Sequence, residues 1–244
     1  MSGNIITVKF KRVLLKLSGE QFGGDSGVGI DSTFINNLAD EIKELVDETG
    51  VELVLVVGGG NFVRGKDLKV TGVEEETAHY MGIISTVING LAFRDVLRSA
   101  SQAAYAQSSI SIPKIADDFE PKKALEHLAN GEVLLILGGT GTPFVTTDTG
   151  AVKLATELDC EVVLKATKVD GIYDSDPTKN RQAKKFKSLT HRQASDHKDI
   201  NVMDNEAHEH AHKHGLPVIV FNLNQRGNIK KVVQGEKIGT YVTS

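Results

Sequence analysis

Short aliphatic runs alternate with longer amphipathic stretches along most of this chain. Val13–Leu17, Val51–Val57, Val133–Leu137, Glu161–Lys165 and Val218–Phe221 are such runs, and a last one lies near Ile238–Val242. Nearly continuous apolar character over so few residues predicts strands covered on both faces. Between the first two runs, Ile35, Leu38, Ile42, Leu45 and Val46 recur at helical spacing. Asp31 or Ser32 supplies an N-cap for that helix and Gly50 its stop. The segment from about Glu74 to Ala100 predicts one long helix, with Ile83, Ile84, Val87, Ile88, Leu91 and Leu97 on one face. Pro121 opens another helix, which Gly131 ends. Ala151–Leu158 reads as helix, as does Glu206–His214 before Gly215 and Pro217, and a short helix follows Phe221. Strand and helix therefore alternate, which predicts an α/β fold with a mainly parallel sheet and helices on both faces. Asp174–Asp199, the most polar stretch, reads as an excursion from the sheet within one domain spanning 1–244.

Four of the strand ends carry glycine-bearing turns. They are Lys16–Gly19, Gly58–Arg64, Gly138–Asp148 and Lys165–Gly171. Ligands of open parallel sheets bind at the carboxyl ends of the strands. Glycine there lets backbone N–H groups approach an anion with no Cβ in the way. Lys16 can bridge phosphates, or it can simply end a strand beside a tight turn. Gly58-Gly59-Gly60 points to close approach by a ligand, and Arg64 follows within reach of the same anion. Gly60 to Lys66 has the glycine and lysine spacing of a P-loop, but Asp67 stands where that motif needs Ser or Thr. Thr140 to Thr147 offers hydroxyls and backbone donors suited to a phosphate or a planar base. Asp148 then heads a helix, as its cap, as the partner of a lysine, or as both.

Composition narrows the class of protein. With 244 residues the chain can bury a sizeable core. A net charge of −4 gives no overall footprint for nucleic acid. The basic stretch Lys179–Lys187 reads as a solvated loop. The lone cysteine, Cys160, reads as buried packing and forms no intrachain disulfide, which fits a reducing compartment. No apolar run is long enough to span a bilayer, and Lys9, Lys11, Arg12 and Lys16 break up any signal-like segment, so the expectation is a cytoplasmic protein. His208-Glu-His-Ala-His212 spells the HExxH zinc motif, yet Val218 replaces the third histidine of its longer form. An exposed, histidine-rich last helical turn, with no metal, is the expected reading.

The turns, in this order and spacing, resemble those of the bacterial uridylate (UMP) kinases in the amino-acid kinase superfamily. The likeness runs from Lys11-Arg-Val-Leu-Leu-Lys-Leu-Ser-Gly-Glu20 to Gly235-Glu-Lys-Ile-Gly-Thr240, through Met81-Gly82, Asn89–Asp95 and Val202-Met-Asp204. It implies an αβα sandwich that transfers the γ-phosphoryl of ATP, with Mg²⁺, to UMP; since the UMP phosphate is already an oxyanion, direct in-line transfer without a phosphoenzyme is the expected mechanism. A homohexamer with GTP as activator and UTP as inhibitor is implied as well. On this sequence the resemblance assigns Lys16, Leu17, Ser18 and Gly19 to the ATP phosphates, and Gly60 and Arg64 to the ATP side. Thr167, Tyr173 and Asp176 fall to the ATP nucleoside. Gly59, His79 and the run Thr140, Gly141, Thr142, Pro143, Phe144, Val145, Thr146 and Thr147 fall to UMP. Lys16 and Asp148 carry the catalytic roles, and Gly24, Asp25, Ser26, Gly27, Val28 and Gly29 match the segment linked to GTP. Two positions depart from the pattern: His79 stands where the family usually has a ribose-binding aspartate, and Thr142 where it has asparagine. Two other functions compete with this one. A kinase of the same fold for another phosphate, such as isopentenyl phosphate, would want an apolar acceptor pocket. A nucleotide-binding regulator without turnover would have lost Lys16 or Asp148.

Overall fold

The computed structural model describes residues 8–63, 72–197 and 202–244. Its strands are β1 (Arg12–Leu17), β2 (Glu52–Val57), β3 (Ala104–Ser108), β4 (Asp117–Asp118), β5 (Val133–Leu137), β6 (Val162–Thr167), β7 (Ser188–Thr190), β8 (Val218–Asn222) and β9 (Thr240–Thr243). They form one sheet in the order β4-β3-β5-β2-β1-β6-β8-β9-β7. All neighbouring pairs are parallel except β8 with β9. The helices are α1 (Gly19–Phe22), α2 (Ser32–Thr49), α3 (Glu75–Ser99), α4 (Pro121–Ala129), α5 (Thr147–Glu157), α6 (His191–Asp196), α7 (Asn205–Lys213) and α8 (Asn228–Val233).

The period-two alternation of the strands divides the core in two. Val13, Leu15 and Leu17 of β1 join Leu53, Leu55 and Val57 of β2 in a cluster with α2, α3 and α8. Leu14, Val54 and Val56 face the opposite way, toward α4, α5 and α7. This is the helix–sheet–helix sandwich expected from the alternation. Local chemistry fixes the helix ends. Asp31 accepts from Phe34 N to cap α2, and Gly50 closes it in the left-handed region at φ 63°. Gly90 lets α3 lie against the sheet, since a Cβ there would meet Leu137 Cδ2 at 2.1 Å.

Several sequence expectations are corrected. The long helix does not turn all of its aliphatic residues to one face: Val87 and Leu97 are buried, but Ile84 and Ile88 are exposed. β3 has no aliphatic run to announce it, because its buried Gln107 and Ser108 replace the usual branched residues. The polar 174–199 stretch is not wholly outside the sheet, since β7 pairs with β9 at its edge and α6 follows directly. α5 begins at Thr147, four residues before the expected start at Ala151, because Thr146 caps it by accepting from Thr149 N.

Candidate active site

β1 and β6 are adjacent and parallel, and their register sets Lys16 directly beside Lys165. Both residues fall on the α5 side of the sheet by the alternation of their strands, and both are nearly buried, at 9% and 8% exposure. Like charges side by side on one face repel. Asp148, in the first turn of α5, answers both of them. Its Oδ1 lies 2.8 Å from Lys16 Nζ and its Oδ2 2.6 Å from Lys165 Nζ. The Lys165 contact is also a hydrogen bond, whereas the Lys16 contact is an ion pair only. Burial alone would raise the Asp148 pKa, but the two ammonium groups outweigh it and hold the carboxyl down at about 2. Burial, with the neighbouring Lys16 charge, draws Lys165 down to about 8 despite Asp148. The cluster therefore carries two cations against one anion and has an unspent positive charge at the strand ends.

Two cavities open near this cluster, one lined by both lysines and the other reaching Thr147, the neighbour of Asp148. The larger, about 640 Å³, is walled by α3 through Ala78, His79, Gly82, Ile83 and Thr86, and by Gly138–Thr140, Thr142 and Val145–Thr147 opposite. The smaller, about 330 Å³, is lined by Lys16, Ser18, Glu20, Gln21 and Val202, and by Lys165–Val169 and Gly171. The turns between them interlock. A Cβ on Gly19 would lie 2.5 Å from Gly58 O and Gly60 N, and one on Gly59 2.7 Å from Gly82 O. These two glycines are therefore required by protein packing against protein, and not simply by a ligand. Asn61 and Asn89 exchange amide hydrogen bonds of 2.9 and 2.7 Å beneath the turn, and Asn89 also donates to Gly58 O. Asn61 donates in addition to Gly29 O, so the 24–29 segment is tied to the glycine turn.

A strap at 202–204 braces the other side. Val202 O accepts from Lys165 Nζ. Asp204 caps α7 by accepting from Ala207 N, and it also accepts from the hydroxyls of Thr146 and Thr149. Burial works against ionisation of Asp204, but these donors hold its pKa below the usual carboxylate value. One carboxylate thus joins the cap of α7 to the cap of α5, two residues from Asp148.

Such an arrangement suits phosphoryl transfer: a fixed cation pair at the carboxyl edge of a parallel sheet, lining one cavity and close to a second. The sequence profile of the "Amino acid kinase family" matches residues 11–222. The chain belongs to the amino acid kinase family. Among similar proteins, a uridylate kinase of Shewanella sp. strain ANA-3 is 43% identical over 233 residues, covering 96% of each chain. The solved UMP kinase of Bacillus anthracis superposes with a TM-score of 0.90 at 35% identity, covering 96% of each chain. That of Ureaplasma parvum gives 0.88 at 29% identity, covering 96% of this chain and 99% of the other.

In this kinase the expected residues are partly gathered and partly not. Lys16, Ser18 and Thr167 line the smaller cavity; His79, Thr140, Thr142 and Val145–Thr147 line the larger. Leu17 is fully buried, so only its backbone can face a ligand. The Ser18 N–H already donates to Gln21 Oε1, which withdraws it as a free donor. Gly141 and Phe144 both have positive φ, at 72° and 67°. Phe144 stands exposed with its ring 4.4 Å from that of His79, at the mouth of the larger cavity. Tyr173 and Asp176 lie outside both cavity walls: Tyr173 donates to Asp170, and Asp176 accepts from Thr178. Arg64, with Lys66 and Asp67 of the P-loop-like spacing, lies outside the described residues. Asp148 is not the cap of α5, because Thr146 holds that position and frees the carboxylate for the lysines. His208 is not exposed as expected but buried against His191.

Two residues of the site escaped the sequence reading. Lys165 opens one of the four glycine-bearing turns, but its role depends on the β1–β6 register. Asp204 has a local signal as the cap before a helical run, but its reach to Thr146 and Thr149 is tertiary.

Proposed function

We infer that this kinase transfers the γ-phosphoryl group of ATP to UMP, giving UDP and ADP. The observation that carries the reading is the Lys16–Asp148–Lys165 cluster, whose lysines line the smaller cavity while the larger reaches Thr147 beside Asp148. Uridylate and UMP kinases that are similar over nearly the whole chain name the acceptor. ATP fits the smaller cavity, where Lys16 meets its phosphates. UMP fits the larger, whose wall sets threonines and His79 for phosphate and ribose beside Val73, Ile83 and Val145 for a planar base. The retained Lys16 and Asp148 argue against a regulator without turnover.

The chemistry follows from charge. The UMP phosphate is an oxyanion near neutral pH, so it needs no general base. One of its oxygens attacks the γ-phosphorus in line, a new P–O bond forms, and the bond to the bridging oxygen of ADP breaks. The chief obstacle is repulsion between two anions. Lys16 lies at the junction to neutralise the migrating group, and Asp148 keeps that ammonium from following either phosphate away. Lys165 supplies the second cation and is itself steadied by Val202 O. Among the described residues no three acidic, cysteine or histidine side chains form a metal cluster, and Asp148 is already committed to lysines. With no carboxylate cluster to hold it among the described residues, a Mg²⁺ ion would arrive with the ATP phosphates and would supply charge neutralisation there.

Assembly and regulation belong to the same proposal. Tyr80, Met81, Ile84 and Ile88 form an exposed apolar stripe on α3, which supports association of copies toward a homohexamer. The Gly29–Asn61–Asn89–Gly58 chain of hydrogen bonds supports a link from the 24–29 segment to the glycine turn, as GTP activation requires. UTP, as the product's triphosphate, suits inhibition at the acceptor cavity, and the reaction is placed in the cytoplasm. A coupled assay with ATP–Mg²⁺ tests the core of the reading. UMP should be turned over at least tenfold more efficiently than CMP, dUMP or isopentenyl phosphate. Preference for any of those acceptors, or no turnover with any of them, would overturn it.

A further inference from the structure

The histidine-rich helix α7 contributes one member of a buried pair of imidazoles that the transfer reaction does not use. His191, at the start of α6, is wholly buried, and His208, in α7, is 2% exposed. His191 Nε2 lies 3.0 Å from Leu216 O, and His191 Nδ1 lies 3.2 Å from His208 Nδ1. A carbonyl only accepts, so His191 carries its proton on Nε2 and its Nδ1 is a bare acceptor. His208 must then donate from Nδ1, which leaves His208 Nε2 with a lone pair. That nitrogen is buried and has no hydrogen-bond partner among the described residues. With both rings neutral, every ring nitrogen of the pair except His208 Nε2 is engaged, so the next proton has one place to go, and there it would be a buried charge with no acceptor.

This pair pins α6 to α7, and the N-terminus of α7 is the strap of the active site. Asp204 caps α7 and holds Thr146 and Thr149, and Val202 holds Lys165. We propose that the His191–His208 pair is an acid-sensitive latch, whose protonation at His208 Nε2 loosens α7 and its strap and so slows phosphoryl transfer reversibly.

The surroundings set the direction. His208 is faced by His191 of α6 and by Lys165 of β6, which oppose its charging, and by Asp204 and Asp148, which favour it. His212 of the same helix adds a further positive influence on His191. Burial is the largest influence on both rings, and it outweighs the carboxylates. His191 is held below its ordinary pKa and His208 is held down at about 4. In the open state His208 returns toward about 6.5. Protons therefore favour the open state as pH falls from about 6.5 toward 4, and the latch is firm above that window. By linkage, going from pH 7.5 to pH 5 multiplies the open-to-closed ratio by roughly thirty.

Two measurements on the full chain test this. Amide hydrogen exchange of α6 and α7, corrected for the intrinsic effect of pH, needs no substrate. Because exchange and rate share that single factor of about thirty, exchange should rise about fivefold from pH 7.5 to 5 in the wild type and less than about twofold in His208→Phe, which keeps an aromatic ring but cannot titrate. The second is kcat/KM for UMP over the same range. The substrate phosphate itself titrates near pH 6, and this limb is common to both proteins. The ratio of variant to wild type, set to one at pH 7.5, should therefore exceed five at pH 5. Exchange that is flat with pH in the wild type, or a rate ratio that stays within twofold of one, would overturn the latch. The rate arm rests on the UMP kinase reading and the exchange arm does not, so absence of turnover is distinguishable from absence of a latch. Should His208→Phe fail to fold, nitrogen NMR of the wild-type imidazoles decides. Nδ1–H on His208 and Nε2–H on His191 at pH 7.5, with His208 charging together with the rise in exchange, is expected. The opposite tautomers, or charging with no change in exchange, would sink the proposal.

Discussion

Lys16 and Lys165 are held side by side by the β1–β6 register, and a single carboxylate makes that tolerable. Removing either cation should therefore affect rate more than folding. Lys16→Ala should lower kcat by about 10²–10³, the usual loss for one preorganised donor at a developing charge. Circular dichroism should remain that of the wild type, and near-normal turnover would remove Lys16 from the mechanism. Lys165 gives a second, pH-resolved signature. Its pKa lies at about 8, below the usual value, so its ammonium is lost as pH rises through 8. An alkaline fall in kcat/KM, which reports the free enzyme, is expected near pH 8, and Lys165→Arg, whose guanidinium stays charged, should shift that limb upward. An unchanged limb in the variant would assign it to another group. His79 is the third residue with its own test. It lines the larger cavity beside Phe144, where a neutral imidazole offers one donor and one acceptor to a ribose. His79→Asp should lower the KM for UMP and sharpen discrimination against dUMP by about 1 kcal/mol, one net hydrogen bond. A UMP/dUMP ratio that does not move would place His79 away from the ribose.

Helix caps, at the scale of the elements, are where this chain couples stability to its site. Asp204 ends one strap, caps α7 and reaches the cap of α5. Asp204→Ala should cost about 1 kcal/mol for the cap alone, and more for the two threonine hydroxyls left without their acceptor. Because Thr146 belongs to the acceptor wall, KM for UMP should rise along with the drop in thermal midpoint, while KM for ATP stays nearly constant. Equal changes in both constants would argue for a general loss of structure. The strand–helix alternation was legible because β1, β2, β5 and β8 are aliphatic on both faces, which only a covered parallel sheet tolerates. β3 was not legible, since Gln107 and Ser108 are buried through tertiary contacts that no local pattern reveals. The site split in the same way. Lys16 and Asp148 carry signals in their own turns, whereas Lys165 gains its role from the strand beside it. His208 was misread because its polar helix looks solvent-facing until α6 is laid against it.

The molecule as a whole is most incomplete along α3. That helix buries Val87, Phe93 and Leu97 against the sheet, yet it turns Tyr80, Met81, Ile84 and Ile88 outward, with Ile84 at 52% exposure. Positions 80, 84 and 88 stack along one line of a helix, so the exposed apolar groups are contiguous and not scattered. The same helix provides Ala78, His79, Gly82, Ile83 and Thr86 to the wall of the larger cavity. A second copy of the chain seated on this stripe would therefore brace the acceptor wall from behind, which joins assembly to activity without any residue crossing into the site. Ile84→Glu/Ile88→Glu places two carboxylates in that contact while leaving the sheet-facing side of α3 intact. Sedimentation velocity should show the wild type as an assembly and the double variant as smaller species, with helix content preserved. KM for UMP should rise several-fold, and KM for ATP should change less, because the smaller cavity is lined by other elements. If the double variant sediments as the wild type does, the stripe is not the contact that holds the copies together. If it dissociates but keeps its KM for UMP, the acceptor wall stands without its neighbour.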